Sequence, residues 1–211
     1  MILDIPFYKN EEGNQCMQVA MKSVLKHILE RDYSLKELDT LTERRNEFWT
    51  FTSQVARVLY DLGLNVVFYS KEDLECYLEG EPFIKRHYGK DAEKILGFTD
   101  IPVLINSIKY LLKYNIFEKK KISLEEIEDY MKKGGVPLIL IDNNKISGKE
   151  DLYQGHFVVV TGFDEGSIYY HESGPINPEP NKKVKKEIFI EAMDANGTDN
   201  DCIIVFGKKK N

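Results

Sequence analysis

Cys16 follows a run that is all polar or glycine, Asn10-Glu11-Glu12-Gly13-Asn14-Gln15, and leads into an apolar pattern in which Met17, Ala20, Met21, Val24, Leu25 and Ile28 recur at three-to-four spacing. That periodicity predicts a helix from Cys16 to about Glu30, with Asn14 placed to cap its first turn. A cysteine at such a position lies among unpaired backbone N–H groups at the positive end of the helix dipole, which favours thiolate over thiol. The thiolate is the nucleophile that acyl transfer requires. The plainer reading is a small residue buried at a helix end, and a basic partner decides between the two.

A candidate partner is the histidine of Gln154-Gly155-His156-Phe157-Val158-Val159-Val160, which opens a β-branched run at a glycine and so belongs at a sheet rim. An imidazole beside a thiol takes its proton and later returns it to a leaving group, and a carboxylate or amide then holds the second ring nitrogen. Glu172 can be that carboxylate. With a hairpin turn at Asp164-Glu165-Gly166, His156 lies nine residues before Glu165 and Glu172 seven after it, so the two ends of the hairpin meet. His171 alternates to the opposite face of its strand. His27 and His87 sit among charged neighbours and read as solvated, and the histidines show no metal-ligand spacing. Cys76 and Cys202 read as buried fillers.

The elements that must position these side chains are legible in outline. A capping box at Ser34 and Glu37 starts a short helix to about Thr42, and another helix covers Thr52 to Leu62 and stops at Gly63. A strand follows from Asn65 to Tyr69. The stretch from Ser70 to Lys133 is helical in pattern, with start signals at Ser70–Asp73 and Ser123–Glu126, its most apolar helix at Ile101 to Tyr114, and a stop at Gly134-Gly135. Pro137 to Ile141, His156 to Phe163, Ser167 to His171 and Cys202 to Phe206 then read as strands, interrupted by a helix at about Lys185 to Met193. Helices first and an antiparallel sheet later make an α+β chain, expected as one domain over residues 1–211 with a helical insertion at about 70–133 and a sheet half at about 135–207.

Composition narrows the classes. The 211 residues are 42% hydrophobic and carry a net charge of −6, which suits a globular core and disfavours a general electrostatic grip on nucleic acid or anionic lipid. Three cysteines without a CxxC fit neither a disulfide framework nor a cysteine zinc site. No signal-like N-terminus and no run of eighteen apolar residues is present, so a cytoplasmic protein without a membrane segment is expected. No P-loop or dinucleotide fingerprint occurs. The lysine runs Lys119-Lys120-Lys121, Lys182-Lys183 with Lys185-Lys186, and Lys208-Lys209-Lys210 read as solvated surface. The aromatic group Phe48, Trp49 and Phe51 reads as core.

Taken together, Pro6-Phe7-Tyr8, Cys16 opening its helix, Gly155-His156-Phe157-Val158-Val159-Val160-Thr161-Gly162-Phe163 and His171-Glu172-Ser173-Gly174-Pro175 resemble the bacteriocin-processing (double-glycine leader) peptidases, a papain-like cysteine peptidase family. The resemblance covers roughly residues 4–31 and 135–207 and implies a papain-like fold, with a helical half led by the nucleophile helix packed on an antiparallel sheet. It implies Cys16 as nucleophile, His156 as general base and Glu172 as the residue that orients the histidine. It needs no cofactor and no metal, and its partner is a peptide or protein substrate. Asn10 stands six residues before Cys16, where the family has its oxyanion glutamine, and Gln15 is a weaker second amide donor. Met17 replaces the family's glycine after the cysteine, and Glu172-Ser173-Gly174 replaces an Asp-Pro-Gly. Hydrolysis of a peptide or amide bond is expected. The alternatives are an acyltransferase that resolves the same thioester with an amine, and a catalytically silent binding or regulatory module. The helical insertion is expected to shape the substrate side.

Overall fold

A computed structural model describes residues 1–45, 48–149 and 153–209. Helices α1 (Cys16–Leu29), α2 (Leu35–Leu41) and α3 (Thr52–Asp61) lead into strand β1 (Leu64–Ser70). A 3₁₀ turn (Leu74–Glu79), α4 (Glu81–Tyr88), α5 (Ala92–Gly97), α6 (Ile101–Lys113), β2 (Phe117–Lys119) and α7 (Leu124–Lys132) follow. The remainder is β3 (Val136–Asp142), α8 (Asn143–Ile146), β4 (Gly155–Phe163), β5 (Ser167–Glu172), β6 (Glu179–Lys185), α9 (Lys186–Met193) and β7 (Cys202–Lys208).

The strands form one seven-stranded sheet in the order β2-β1-β7-β3-β4-β5-β6. Every neighbouring pair is antiparallel except β1 with β2. The sheet thus departs from the expected C-terminal antiparallel unit in two ways. β1, from the first third of the chain, pairs β7, and β2 interrupts the stretch read as helical. Phe117 lies opposite Phe68 in that parallel pair, and their rings pack 5.7 Å apart.

Period-two alternation sorts the strand side chains onto two cores. Phe157 and Val159 of β4, with Ile203 and Val205 of β7, face a core shared with α1, α3 and α6. Val158 and Val160, with Cys202 and Ile204, face the other core, closed by α7 and α9. β4 therefore reads as a continuous apolar run because both of its faces are covered.

Capping chemistry fixes two helix starts, at Ser34 and Ser123, where the sequence placed it. Ser34 and Glu37 exchange the reciprocal bonds of a capping box, and Ser123 and Glu126 do the same. The expected start at Ser70 falls instead at Asp73, whose side chain accepts from Glu75 N–H. Asp100 caps α6, with Pro102 in its first turn. Lys210 lies outside the described residues.

Candidate active site

The N-terminal ten residues explain how a helix and a sheet rim come together. Met1 to Leu3 run against β4: Leu3 N–H donates to the Thr161 carbonyl at 2.7 Å, and a Cβ on Gly162 would fall 2.5 Å from the Met1 carbonyl oxygen. Glycine is required there, and the β4–β5 register shifts at that place. Further along, His171 Nε2 donates to the Ile5 carbonyl at 2.9 Å and Asn10 N–H to the Ser173 carbonyl at 2.7 Å. The chain is thereby tied to the end of β5 immediately before it turns into α1.

The turn is organised by Asn10, which is 1% exposed. Its Oδ1 accepts from Gly13 N–H at 3.1 Å and Gln15 N–H at 3.2 Å. Gly13, at φ +80°, packs under Pro175 of the segment that follows Glu172. Asn14 does not cap α1. Gln15 takes the capping position without a side-chain bond, and the Asn14 carbonyl instead accepts from Arg44. The first turn of α1 contains no acidic residue to oppose the positive end of the helix dipole at Cys16.

Cys16 stands half-buried at the head of α1, where its thiol feels the charge of His156 and the backbone N–H groups of Phe157 and Met17. His156 Nε2 stands 2.8 Å from Glu172 Oε1. The carboxylate oxygen lies off the ring N–H axis, so this contact is an ion pair rather than a straight hydrogen bond. Gly174 N–H donates to the same Oε1 at 2.9 Å. His156 and Glu172 are 8% and 4% exposed, so the pair works in a medium that screens charge poorly.

Electrostatics follow from these contacts. Burial pushes the Cys16 thiol up, but the hydrogen bond and charge of His156 and the two backbone N–H groups outweigh it and hold the thiol below its ordinary value. Burial disfavours a charged His156, yet its bonds to Cys16 and Glu172 raise it to about 9. Glu172 would also be raised by burial; His156, Gly174 N–H and Lys182 hold it below the usual carboxylate range. The arrangement favours a thiolate–imidazolium pair.

Gln15 is committed elsewhere, since its Nε2 donates to Asp39 Oδ2 at 2.8 Å, and Arg44 binds the same oxygen at 3.3 Å. His171 faces away from Cys16, as alternation requires, and accepts the Asn181 N–H on Nδ1. His87 is exposed, as expected, and stacks on Phe83 and faces Glu72 at 3.9 Å, while His27 Nδ1 bonds the Asp4 carbonyl. Trp49 is 46% exposed and stacks on Phe98 at 5.0 Å, so it is surface and not core. Among the described residues no three His, Cys, Asp or Glu side chains are grouped to hold a metal ion.

Sequence reasoning missed three contributors. Asp39 and Arg44 brace the turn before Cys16, and Lys182, read as solvated, reaches Glu172 Oε2 at 3.7 Å. It also missed a cavity of about 60 Å³ lined by Thr52, Ser70, Tyr77, Tyr88, Asp199 and Asp201. These residues come from four separate stretches of chain, and no local motif joins them.

A thiol at the head of a helix, an imidazole at the rim of a facing sheet and a buried carboxylate behind it define the papain-like α+β class. Solved structures agree on the fold. The chain aligns with a protein described as a C39-like peptidase from Bacillus anthracis at a TM-score of 0.59 and 14% identity, covering 99% of this chain and 98% of that one. It aligns with the peptidase domain of Streptococcus ComA, a bifunctional ABC transporter of a quorum-sensing pathway, at a TM-score of 0.51 and 13% identity, covering 95% and 97%. A double-glycine-motif protease from an AMS/PCAT transporter, solved with its leader peptide, gives 0.50 and 15%, covering 99% and 94%. The likeness to bacteriocin-processing peptidases read in the sequence is borne out at the level of fold. No curated protein matches the chain. A family profile described as guanylylate cyclase matches residues 5–205, nearly the whole length, and the chain belongs to that family. Among the described residues no single helix is long and apolar enough to cross a membrane.

Proposed function

We propose that the protein cleaves a peptide or amide bond through an acyl-enzyme on Cys16. The observation that carries this reading is the convergence of Cys16, His156 and Glu172 from α1, β4 and β5, with the thiol held low and the imidazole held high. The Cys16 thiolate attacks the carbonyl carbon, and the electron pair moves to the carbonyl oxygen. That oxyanion is received by the Cys16 backbone N–H and Asn10 Nδ2. As the C–N bond breaks, His156 Nδ1 gives its proton to the leaving amine, and a thioester remains. Water, deprotonated by His156, then attacks the thioester and releases the acid and the thiol. An amine in place of water turns the same intermediate into an acyltransferase product.

Glu172 keeps the imidazole oriented and favours its charged form. The longer side chain takes the place of the aspartate in the Asp-Pro-Gly of the resembled peptidases, approaching off-axis. The guanylylate cyclase description of the matched family favours a second reading, nucleotide cyclisation, in which a ribose hydroxyl attacks the α-phosphate and pyrophosphate leaves. Turnover of a peptide and amide library beside GTP separates the two. The thiol reading expects peptide or amide cleavage that falls at least ~10³-fold in Cys16→Ala. Pyrophosphate release from GTP that survives Cys16→Ala, with no amide turnover, contradicts it.

A further inference from the structure

The lysines of β6 divide by face. Lys183 pairs with Asp164 at 2.9 Å on the exposed side. Lys182 lies directly opposite Tyr170 in the β5–β6 ladder, over whose ring its ammonium sits at 5.8 Å, and Glu172 is the next residue of β5 on that face. Its Nζ reaches Glu172 Oε2 at 3.7 Å, with 31% of the lysine side chain exposed against 5% of the glutamate's. The two carboxylate oxygens are therefore divided: Oε1 faces His156 and Gly174 N–H, and Oε2 faces Lys182.

We propose that Lys182 is a positioning residue of this site, whose ammonium holds Oε2 of Glu172 and so keeps Oε1 on His156. The proposal rests on the Cys16–His156–Glu172 reading. A glutamate has one more rotatable bond than the aspartate or asparagine of the resembled family, so its carboxylate needs more restraint to stay in one place. The off-axis contact with His156 restrains it weakly, and one backbone N–H fixes only one oxygen. A second cation on the far oxygen supplies the missing restraint. It also offsets a full negative charge that otherwise faces the Cys16 thiolate across the imidazole.

The groups facing Glu172 are His156 from β4, Lys182 and its register partner Glu179 from β6, Tyr170 of its own strand, and, beyond the imidazole, Cys16 of α1. Of these Lys182 alone is a permanent cation. Removing it leaves the charge of Glu172, reinforced by Glu179, less compensated. The thiolate becomes harder to form and the imidazolium harder to lose, so both limbs of a pH profile move upward.

The test is the rate of Cys16 alkylation by iodoacetamide against pH in the full chain, for wild type, Lys182→Met, Lys182→Gln and Lys182→Arg. Lys182 is half-exposed on an edge strand, and the two neutral variants guard against a folding defect in either. The expected result is an upward shift of both limbs by about half a pH unit in the Met and Gln variants, with a plateau several-fold lower, and recovery in the Arg variant. A loss of packing alone lowers the reactive fraction without moving the limbs. Unshifted limbs in both neutral variants, beside a fast wild-type Cys16, overturn the role of Lys182 and leave the site reading intact. A wild-type Cys16 no faster than Cys76 overturns the site reading and this proposal with it.

Discussion

At the residue scale Asn10 combines two tasks that its neighbours do not share. Its Oδ1 holds the turn into α1 through two backbone N–H groups, and in the proposed mechanism its Nδ2 donates to the developing oxyanion. Substitution separates these tasks. Asn10→Asp keeps the acceptor and replaces the donor, so turnover should fall ~10²-fold with the turn preserved. Asn10→Ala loses both, and should lower stability by about 1–2 kcal/mol as well. Thermal melts beside turnover rates check the pair, and an Asp variant as active as wild type removes Asn10 from the chemistry. Cys16, His156 and Glu172 were legible because each carries a local signal: a helix start, a glycine-led strand and a hairpin of countable length. Lys182 was not, since a lysine on a charged strand shows its partner only when the strand pairs.

At the scale of elements, the sequence was clear wherever a period or a cap repeats within a few residues. α2 and α7 start at their capping boxes, and β4 shows its apolar run. β6 escaped because Glu179-Pro180-Asn181-Lys182-Lys183 has no apolar alternation; it is an edge strand whose charges guard the open side of the sheet. β2 escaped because three residues are too few for a period. The acidic cavity lies where α3, β1 and the start of β7 meet. Burial and the neighbouring Asp199 raise Asp201 to about 7, against hydrogen bonds from Thr52 and Ser70. Because the folded form holds that proton more tightly than the unfolded chain, the group contributes most stability below its ordinary 3.8 and loses it as pH rises through about 7. Asp201→Asn should therefore match wild type in urea near pH 4 and exceed it by ~1–3 kcal/mol at pH 8. An equal difference at both pH values contradicts the assignment.

At the scale of the whole molecule, the proposed chemistry exists only when distant segments meet. Cys16 comes from the first helix, His156 and Glu172 from strands 140 and 156 residues later, and the N-terminal ten residues clamp one to the other. The α+β character was readable from the order of elements. The pairing of β1 with β7, next to the β2 edge of the sheet, was not, because strand order depends on long-range pairing that no local pattern encodes. Cys76 and Cys202 provide an internal control, the first half-buried and the second buried in the core with its thiol pushed up by burial. The most direct measurement is the alkylation rate of each cysteine by iodoacetamide across pH 5 to 10, in native buffer and in denaturing urea. Native Cys16 should react far faster than the other two, with a limb below the ~8.5 of a free thiol and a second near the His156 value of about 9. In urea its advantage should vanish. Equal slow labelling of all three cysteines in the native protein contradicts the account.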